Sequence, residues 1–536
     1  MSKESKLKLN RRKFVTLTGG AVIASGILAT CGDATNNTAP ATTAPEATTA
    51  AATTAAAATT AAATTAAAAT TAAAATTAAT ATTAAATTSA AATTSAAATT
   101  AASGQAFQTD FNAVGQELAD AMAGKLKGKT VTLIHGITAA DEVTKFTKCF
   151  DDFQAKTGIT VKLNAGGNDA LTVIATKVSA GTIDDIVNFP QPGSLGLYTQ
   201  QGKVKDLSTI INQDWMKKVY NQGFIDTATL PDQNGKKILA GVFQRINFKS
   251  AVWYPKKAFD AAGYKVPTTW DEQQALMDQI VKDGDTPWCL GIESGGATGW
   301  PATDWLEDLM LRTTSLENYD KWTTGVMPFT DPVVKNAMQK MTDIFFNDKY
   351  VYGGRKTIVT TNFGNAGTPM FQNPPKAWLL KQGNFITTFF EQNTPGLKGG
   401  VDYDFYYLPP IDPQYGKPVL FAGDLFGLFN DKPESRAVIQ FLTTYESIQP
   451  WIKAGGGGAI SPHKNANLAD YTTDLDRKTA QSILQATSAR FDGSDLMPAA
   501  VGSGSEWKGM TDYFSGTANL DQALATMQAG WNNVKK

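Results

Sequence analysis

Between Gly32 and Ser103 the chain is almost pure alanine and threonine, with Asp33 and Glu46 its only charges. No side chain in that tract is large enough to build a core, so nothing offsets the entropy of ordering it. Alanine favours helix, but the repeated β-branched threonine pairs weaken that preference. The tract therefore reads as a disordered tether whose ends lie roughly 45–50 Å apart, and a Thr-rich stalk is also open to O-glycosylation. Folding is left to the residues from about Gly104 to Lys536. That length exceeds one small core and suits two lobes.

Residues 1–31 read as an export signal. Arg11-Arg12-Lys13-Phe14 stands ahead of an apolar run, Val15 to Leu28, too short to span a bilayer as a stable helix. The paired arginines point to twin-arginine export, and Asn10-Arg11-Arg12-Lys13-Phe14-Val15 resembles that consensus. Leu28-Ala29-Thr30-Cys31 resembles a bacterial lipobox, in which the cysteine becomes the lipidated N-terminus. Thr30 departs from the Gly, Ala or Ser usual before that cysteine, and an ordinary cleaved signal with a chance cysteine is the alternative. Lipid attachment at Cys31 and an extracytoplasmic, membrane-anchored location are expected.

A formal net charge of -1 argues against a nucleic-acid partner, which needs a basic face. No later segment offers a run of apolar residues long enough for a membrane span. Besides Cys31 there are only Cys149 and Cys289. A disulfide between them is open outside the cytoplasm, but without a spacing motif free or buried thiols are favoured. The chain has just 2 histidines, His135 and His463, which leaves little for a triad or a His-rich metal site. No G-x-S-x-G, P-loop or complete G-x-G-x-x-G is present. Neither metal nor cofactor is expected.

Strands alternate with helices. Val131-Thr132-Leu133-Ile134 reads as a strand, Ala140 to Ala155 as a helix ended by Thr157-Gly158, and Ile159 to Leu163 as the next strand. A helix carrying Leu171, Ile174, Ala175 and Val178 at core-facing spacing follows, then a strand over Asp185 to Phe189. This order implies a mostly parallel sheet with helices on both faces. Ligands sit at the carboxyl ends of such strands, so the loops at His135 to Thr138 and Asn188 to Gln191 are candidates. Val242 to Tyr254 alternates long enough to leave one lobe and enter another. Thr269 reads as a helix N-cap beside acidic first-turn residues, and Pro433 to Tyr445 as a later helix.

Taken in order, FQAKTGITV (153–161), SAVWYPKKAFDAAGYKVPTTWDE (250–272), YDFYYLPPI (403–411) and FAGDLFGLF (421–429) resemble the extracellular solute-binding proteins, family 1, of ABC sugar importers. Maltose-binding protein belongs to that broad group. The stretch from Ala459 to Gly516 resembles the alpha-glucoside-binding branch especially. The resemblance covers residues 128–536. It implies an α/β, two-lobe periplasmic-binding-protein fold (type II-like), each lobe a mainly parallel sheet flanked by helices, joined by hinge crossings. One lobe would comprise residues 104–245 and 425–465, the other 246–424 and 466–536.

Sugar rings present apolar C–H faces and a rim of hydroxyls. Aromatic side chains cover the faces, while carboxylates, amides and arginine take the hydroxyls. Trp300-Pro301 with Asp304 fits that need, although Asp304 could simply cap a helix. Arg245 and Asn247 share one side of the crossing strand by period-two spacing. Asp424 sits among apolar neighbours and needs a partner, which a sugar hydroxyl or a local arginine would supply equally. Arg490 and Asp495 could pair with each other. By resemblance, Glu293 occupies the family's acidic ligand contact, Trp507 its stacking tryptophan and Phe385 another aromatic position. The charged loop after the family's third strand is absent; Gln191 is the only long polar side chain there.

The expectation is a monomeric, lipid-anchored protein that captures carbohydrate by hinge closure and delivers it to ABC permease transmembrane subunits. A surface glycoside hydrolase using two carboxylates, such as Glu293 and Asp304, is one alternative. A sugar-sensing or adhesion domain without a permease is the other.

Overall fold

Parallel pairing begins where the sequence alternation is clearest. Strand β1 (Thr130–His135) pairs in parallel with β2 (Thr160–Ala165) and with β3 (Ile186–Phe189). The computed structural model describes residues 108–484, 486 and 488–534; the export signal, Cys31 and the tether lie outside the described residues. All four residues of β3 are buried, as befits a strand covered on both faces. The helix expected over 140–155 breaks at Cys149-Phe150 into Ala140–Lys148 and Asp151–Thr157. Gly158 caps the second piece at a φ of 68°, a left-handed conformation cheap only for glycine. In the next helix, Ala170–Ser179, only Ile174 is buried and Ala175 is exposed. Ile174 belongs to the first core and Leu171, Val173 and Val178 pack against it, while Leu171 and Ile174 also line a cavity.

β4 (Val242–Phe248) runs through Lys249-Ser250 into β5 (Ala251–Tyr254). One extended segment thus leaves the first sheet and enters a second, where β5 lies between β6 (Leu380–Lys381) and β7 (Asp404–Tyr407). The chain returns along β8 (Val419–Leu428), antiparallel to β4 on one side and to β3 on the other. It comes back to the second lobe through β9 (Ala489–Phe491), parallel to the start of β8, and Asp492. The parallel arrangement expected in both lobes needs correction here. β6, β5 and β7 are antiparallel throughout, because outbound β5 lies beside β7, which already heads back to the first lobe.

Two hydrophobic cores follow. One surrounds β1, β3 and β8 and includes Phe146, Phe150, Phe153 and Phe441, with the Phe153 and Phe441 rings stacked at 4.6 Å. The other joins helices Trp300–Thr313, Pro332–Phe345, Trp507–Ser515 and Leu520–Val534. Each buried phenylalanine contributes about 1.5–3 kcal/mol through removal of apolar surface from water. The expected cap at Thr269 is present as a capping box with Glu272. The helix expected from Pro433 ends early, at Phe441. Cys149 and Cys289 are free and buried.

Candidate ligand-binding cleft

A cavity of about 200 Å³ lies between the carboxyl ends of β1 and β3 and the helices of the second lobe. From the first lobe come the loop after β1, with Gly136, Ile137 and Thr138, and the loop after β3, with Asn188, Pro190 and Gln191. These are the two strand-end loops that the alternation singles out. The first is shaped locally: the Ile137 N–H donates to His135 Nδ1 at 3.2 Å. Burial, and then the nearby Arg245 charge, push the His135 imidazole down to about 4, so it stays neutral near pH 7.

The floor is the β4–β8 pair. Arg245, Asn247 and Lys249 line the cavity at every second position, so the alternation of β4 aims a polar row at the cleft. Arg245 stands opposite Asp424, beside a register shift that leaves Gln244 of β4 without a partner residue on β8. The Arg245 guanidinium donates to Asp424, to the Gly458 carbonyl at 3.1 Å and to Glu142 at 3.4 Å. Its Cζ lies 4.6 Å from the centre of the Trp451 ring. Asn188 Nδ2 donates to the other Asp424 oxygen at 3.3 Å. Burial pushes the Glu142 carboxyl up, and Arg245 only partly offsets it.

The second lobe supplies the aromatic wall: Trp300, Phe363, Phe385, Phe389 and Trp507. Trp300 opens helix Trp300–Thr313, with Pro301 in its first turn, where a missing N–H costs nothing. Its ring meets Phe363 edge-on at 5.0 Å and Phe385 at 5.8 Å. Trp507 follows a π-helical turn, Ala500–Glu506, and begins helix Trp507–Ser515. Gly299 permits both placements: its φ is 118°, and a Cβ there would meet the Trp507 carbonyl at 2.7 Å. Asn247 Oδ1 and Trp507 Nε1 are buried without a hydrogen-bond partner among the described residues. Such atoms are uncommon in a folded protein, and both belong to cavity-lining residues.

Behind this wall lies an acidic cluster. Lys249 Nζ binds Asp304 Oδ1 at 2.8 Å and also Asp492, and sits 5.2 Å from the Trp300 ring centre. Burial pushes the Asp304, Glu307 and Asp495 carboxyls up, and repulsion from Asp492 adds to it. Asp492 itself is held below the usual range: burial opposes this, but the Lys249 charge and donated hydrogen bonds prevail. Asp304, Glu307 and Asp492 bring carboxylate oxygens within 4.8 Å of one another, but the Lys249 ammonium already supplies a cation to two of them.

Of the sequence-derived candidates, Gln191, Arg245, Asn247, Trp300, Phe385, Asp424 and Trp507 come together around the cavity. Glu293 and Asp304 are not part of its lining. The Glu293 carboxylate instead accepts from the Gly295 N–H at 2.7 Å and from Asn362 Nδ2 at 2.7 Å, while Asp304 faces Lys249 behind the wall. Arg490 and Asp495 do not pair: Arg490 binds Asp320 at 2.6 Å, and Asp495 lines the cavity together with Gln191. Lys249 was legible as the next step of the Arg245, Asn247 row. Phe363, Phe389, Asp492 and Glu142 carry no local signal.

The sequence profile of the bacterial extracellular solute-binding proteins matches residues 139–448. The osmoprotective compounds-binding protein GgtB of Synechocystis is 39% identical over 403 residues, covering 75% of this chain and 92% of the relative. The alpha-glucosides-binding periplasmic protein AglE of Rhizobium meliloti is 38% identical over 415 residues, covering 76% and 88%. Among solved structures, the bacterial solute receptor AcbH, which prefers β-D-galactopyranose, superposes with a TM-score of 0.64 at 18% identity, over 76% of this chain and 98% of that one.

Proposed function

The chain belongs to the bacterial extracellular solute-binding protein family, and from that premise we propose that it captures a carbohydrate, an α-glucoside or another oligosaccharide, for an ABC importer by closure of its two lobes. The observation that carries this reading is the pairing of unlike walls across one cavity. Five aromatic side chains offer faces for sugar C–H groups, while Arg245, Asn247, Asp424 and Gln191 offer partners for hydroxyls. Two relatives that the chain matches over most of their length are named for osmoprotective compounds and for alpha-glucosides.

Closure follows from contacts made only when the lobes meet. The Gly296 N–H donates to Asp169 at 3.3 Å, and Gln191 reaches Asp495; each pair joins a first-lobe loop to a second-lobe loop. The hinge divides residues 104–245 and 425–465 from 246–424 and 466–536. Micromolar affinity, about -8 kcal/mol, suffices for scavenging. The protein releases its ligand unchanged; the pair that a hydrolase reading would use, Glu293 and Asp304, is not part of the cavity lining. It acts as a monomer, exported by the twin-arginine route and anchored by lipid on Cys31 through the 32–103 tether.

A thermal-shift screen of trehalose, sucrose, maltose and raffinose tests the ligand class. At least one is expected to raise the melting temperature and to be recovered intact by chromatography. A screen in which only non-carbohydrate solutes stabilise the protein overturns the reading. Labelling with tritiated palmitate, lost in Cys31→Ser, tests the anchor separately.

A further inference from the structure

Four carboxyl side chains, Glu142, Asp424, Asp492 and Asp495, line the cavity, against only two cations, Arg245 and Lys249. Both cations are already engaged: Arg245 by Asp424 and Glu142, Lys249 by Asp304 and Asp492. Among the described residues, no other lysine, arginine or histidine belongs to the lining. The balance behind the wall leans the same way, since Glu307 and Glu506 are buried nearby and both Glu506 oxygens lack a hydrogen-bond partner among the described residues. Asp495 stands apart within this set. It is buried on the short helix Gly493–Leu496, its main-chain N–H donates to Asp492 at 2.9 Å, and no cation lies in ion-pair range of its carboxyl among the described residues.

We infer that the cleft filters its ligands by charge, admitting neutral and amino-bearing glycosides and excluding uronates and sugar phosphates, with Asp495 as the group that meets a ligand's ammonium. The inference rests on the carbohydrate-binding reading and specifies which carbohydrates that reading covers. An anionic ligand finds no free cation to offset the loss of its hydration in a site sheltered from solvent, and it can only drive the Asp495 and Glu142 carboxyls further towards their protonated form. A cationic ligand does the reverse. Burial and Asp492 push the Asp495 carboxyl up, so it tends to keep its proton; an ammonium in the cleft favours its ionised form and gains a charge-assisted hydrogen bond.

The test is calorimetric titration of the full chain with four near-isosteric probes that differ only at one carbon. They are methyl α-D-glucopyranoside, its 6-amino-6-deoxy analogue, the corresponding uronate and the neutral uronamide. The uronate is expected to bind at least about tenfold more weakly than the parent, the uronamide within about threefold of it, and the amine at least as tightly. Asp495→Asn, which keeps the shape of the protonated acid, is expected to erase the advantage of the amine; Glu142→Gln narrows the gap between parent and uronate. A uronate that binds within threefold of the parent overturns the filter, as does a uronamide as weak as the uronate, because shape then decides. An amine advantage that survives Asp495→Asn overturns the assignment to that residue. Failure of all four probes and of every saccharide in the thermal-shift screen overturns the carbohydrate reading itself, and the filter with it.

Discussion

The two walls of the cleft are built on opposite plans. On the first lobe and the crossing strands, the charged groups are already satisfied within the protein: Arg245 holds Asp424, Glu142 and Gly458, and Asn188 holds Asp424. A ligand there must trade one hydrogen bond for another, so the wall contributes orientation and selectivity more than net affinity. On the second lobe, Trp300, Phe385 and Trp507 line the cavity with ring surface, held by apolar ring contacts such as those of Trp300 with Phe363 and Phe385 rather than by hydrogen bonds across the floor. Covering that surface displaces water without breaking anything, so affinity should come mainly from this side.

The sharpest way to break that comparison is Arg245→Ala. It strands two buried carboxylates and is expected to cost about 3–5 kcal/mol of stability, read from urea unfolding. A loss of affinity with unchanged stability would show that the floor is not structural. Trp507→Ala should act oppositely, weakening glucoside binding at least about tenfold, or about 1.4 kcal/mol, with the circular dichroism spectrum retained; an unaltered titration removes Trp507 from the site.

Glu506→Gln sharpens the account of what lies behind the aromatic wall. Burial, and then Asp492, push the Glu506 carboxyl well above its ordinary value of 4.5. A carboxyl raised in the folded state costs nothing below the unfolded value and progressively more as pH climbs towards the folded one. The variant is therefore expected to match the wild type near pH 4 and to exceed it increasingly above 4.5, by up to about 1.4 kcal/mol per pH unit. Melting curves from pH 4 to 8 check the sign; a gap that closes with rising pH contradicts it. The smallest effect is expected at Glu293→Gln, which should leave affinity within about twofold because that side chain caps its own loop. A larger loss would return Glu293 to the ligand shell.

Much of the fold was legible because its signals are local. The strands at Thr130–His135 and Thr160–Ala165, the cap at Thr269 and the helix end at Gly158 depend on a few adjacent residues, and so did the row Arg245, Asn247. Partnerships were less legible. Asp495 was read against Arg490, five residues away, but Arg490 finds Asp320 across 170 positions. Asp304 looked like a helix cap or a ligand, and only Lys249, 55 positions distant, explains its burial. The antiparallel second sheet escaped notice because strand direction depends on where the chain is heading, which no window of residues records.

By itself the sequence determined that a coreless Ala/Thr tract precedes the folded part, that strands and helices alternate, and that the aromatic and polar residues needed to hold a sugar are present. Those properties follow from side-chain volume, backbone preference and period, and each acts over a short stretch of chain. Only the tertiary structure decided which carboxylates face the cavity and which face a lysine. Charge pairing in a buried site depends on distance and dielectric, and both are set by segments that meet only after folding.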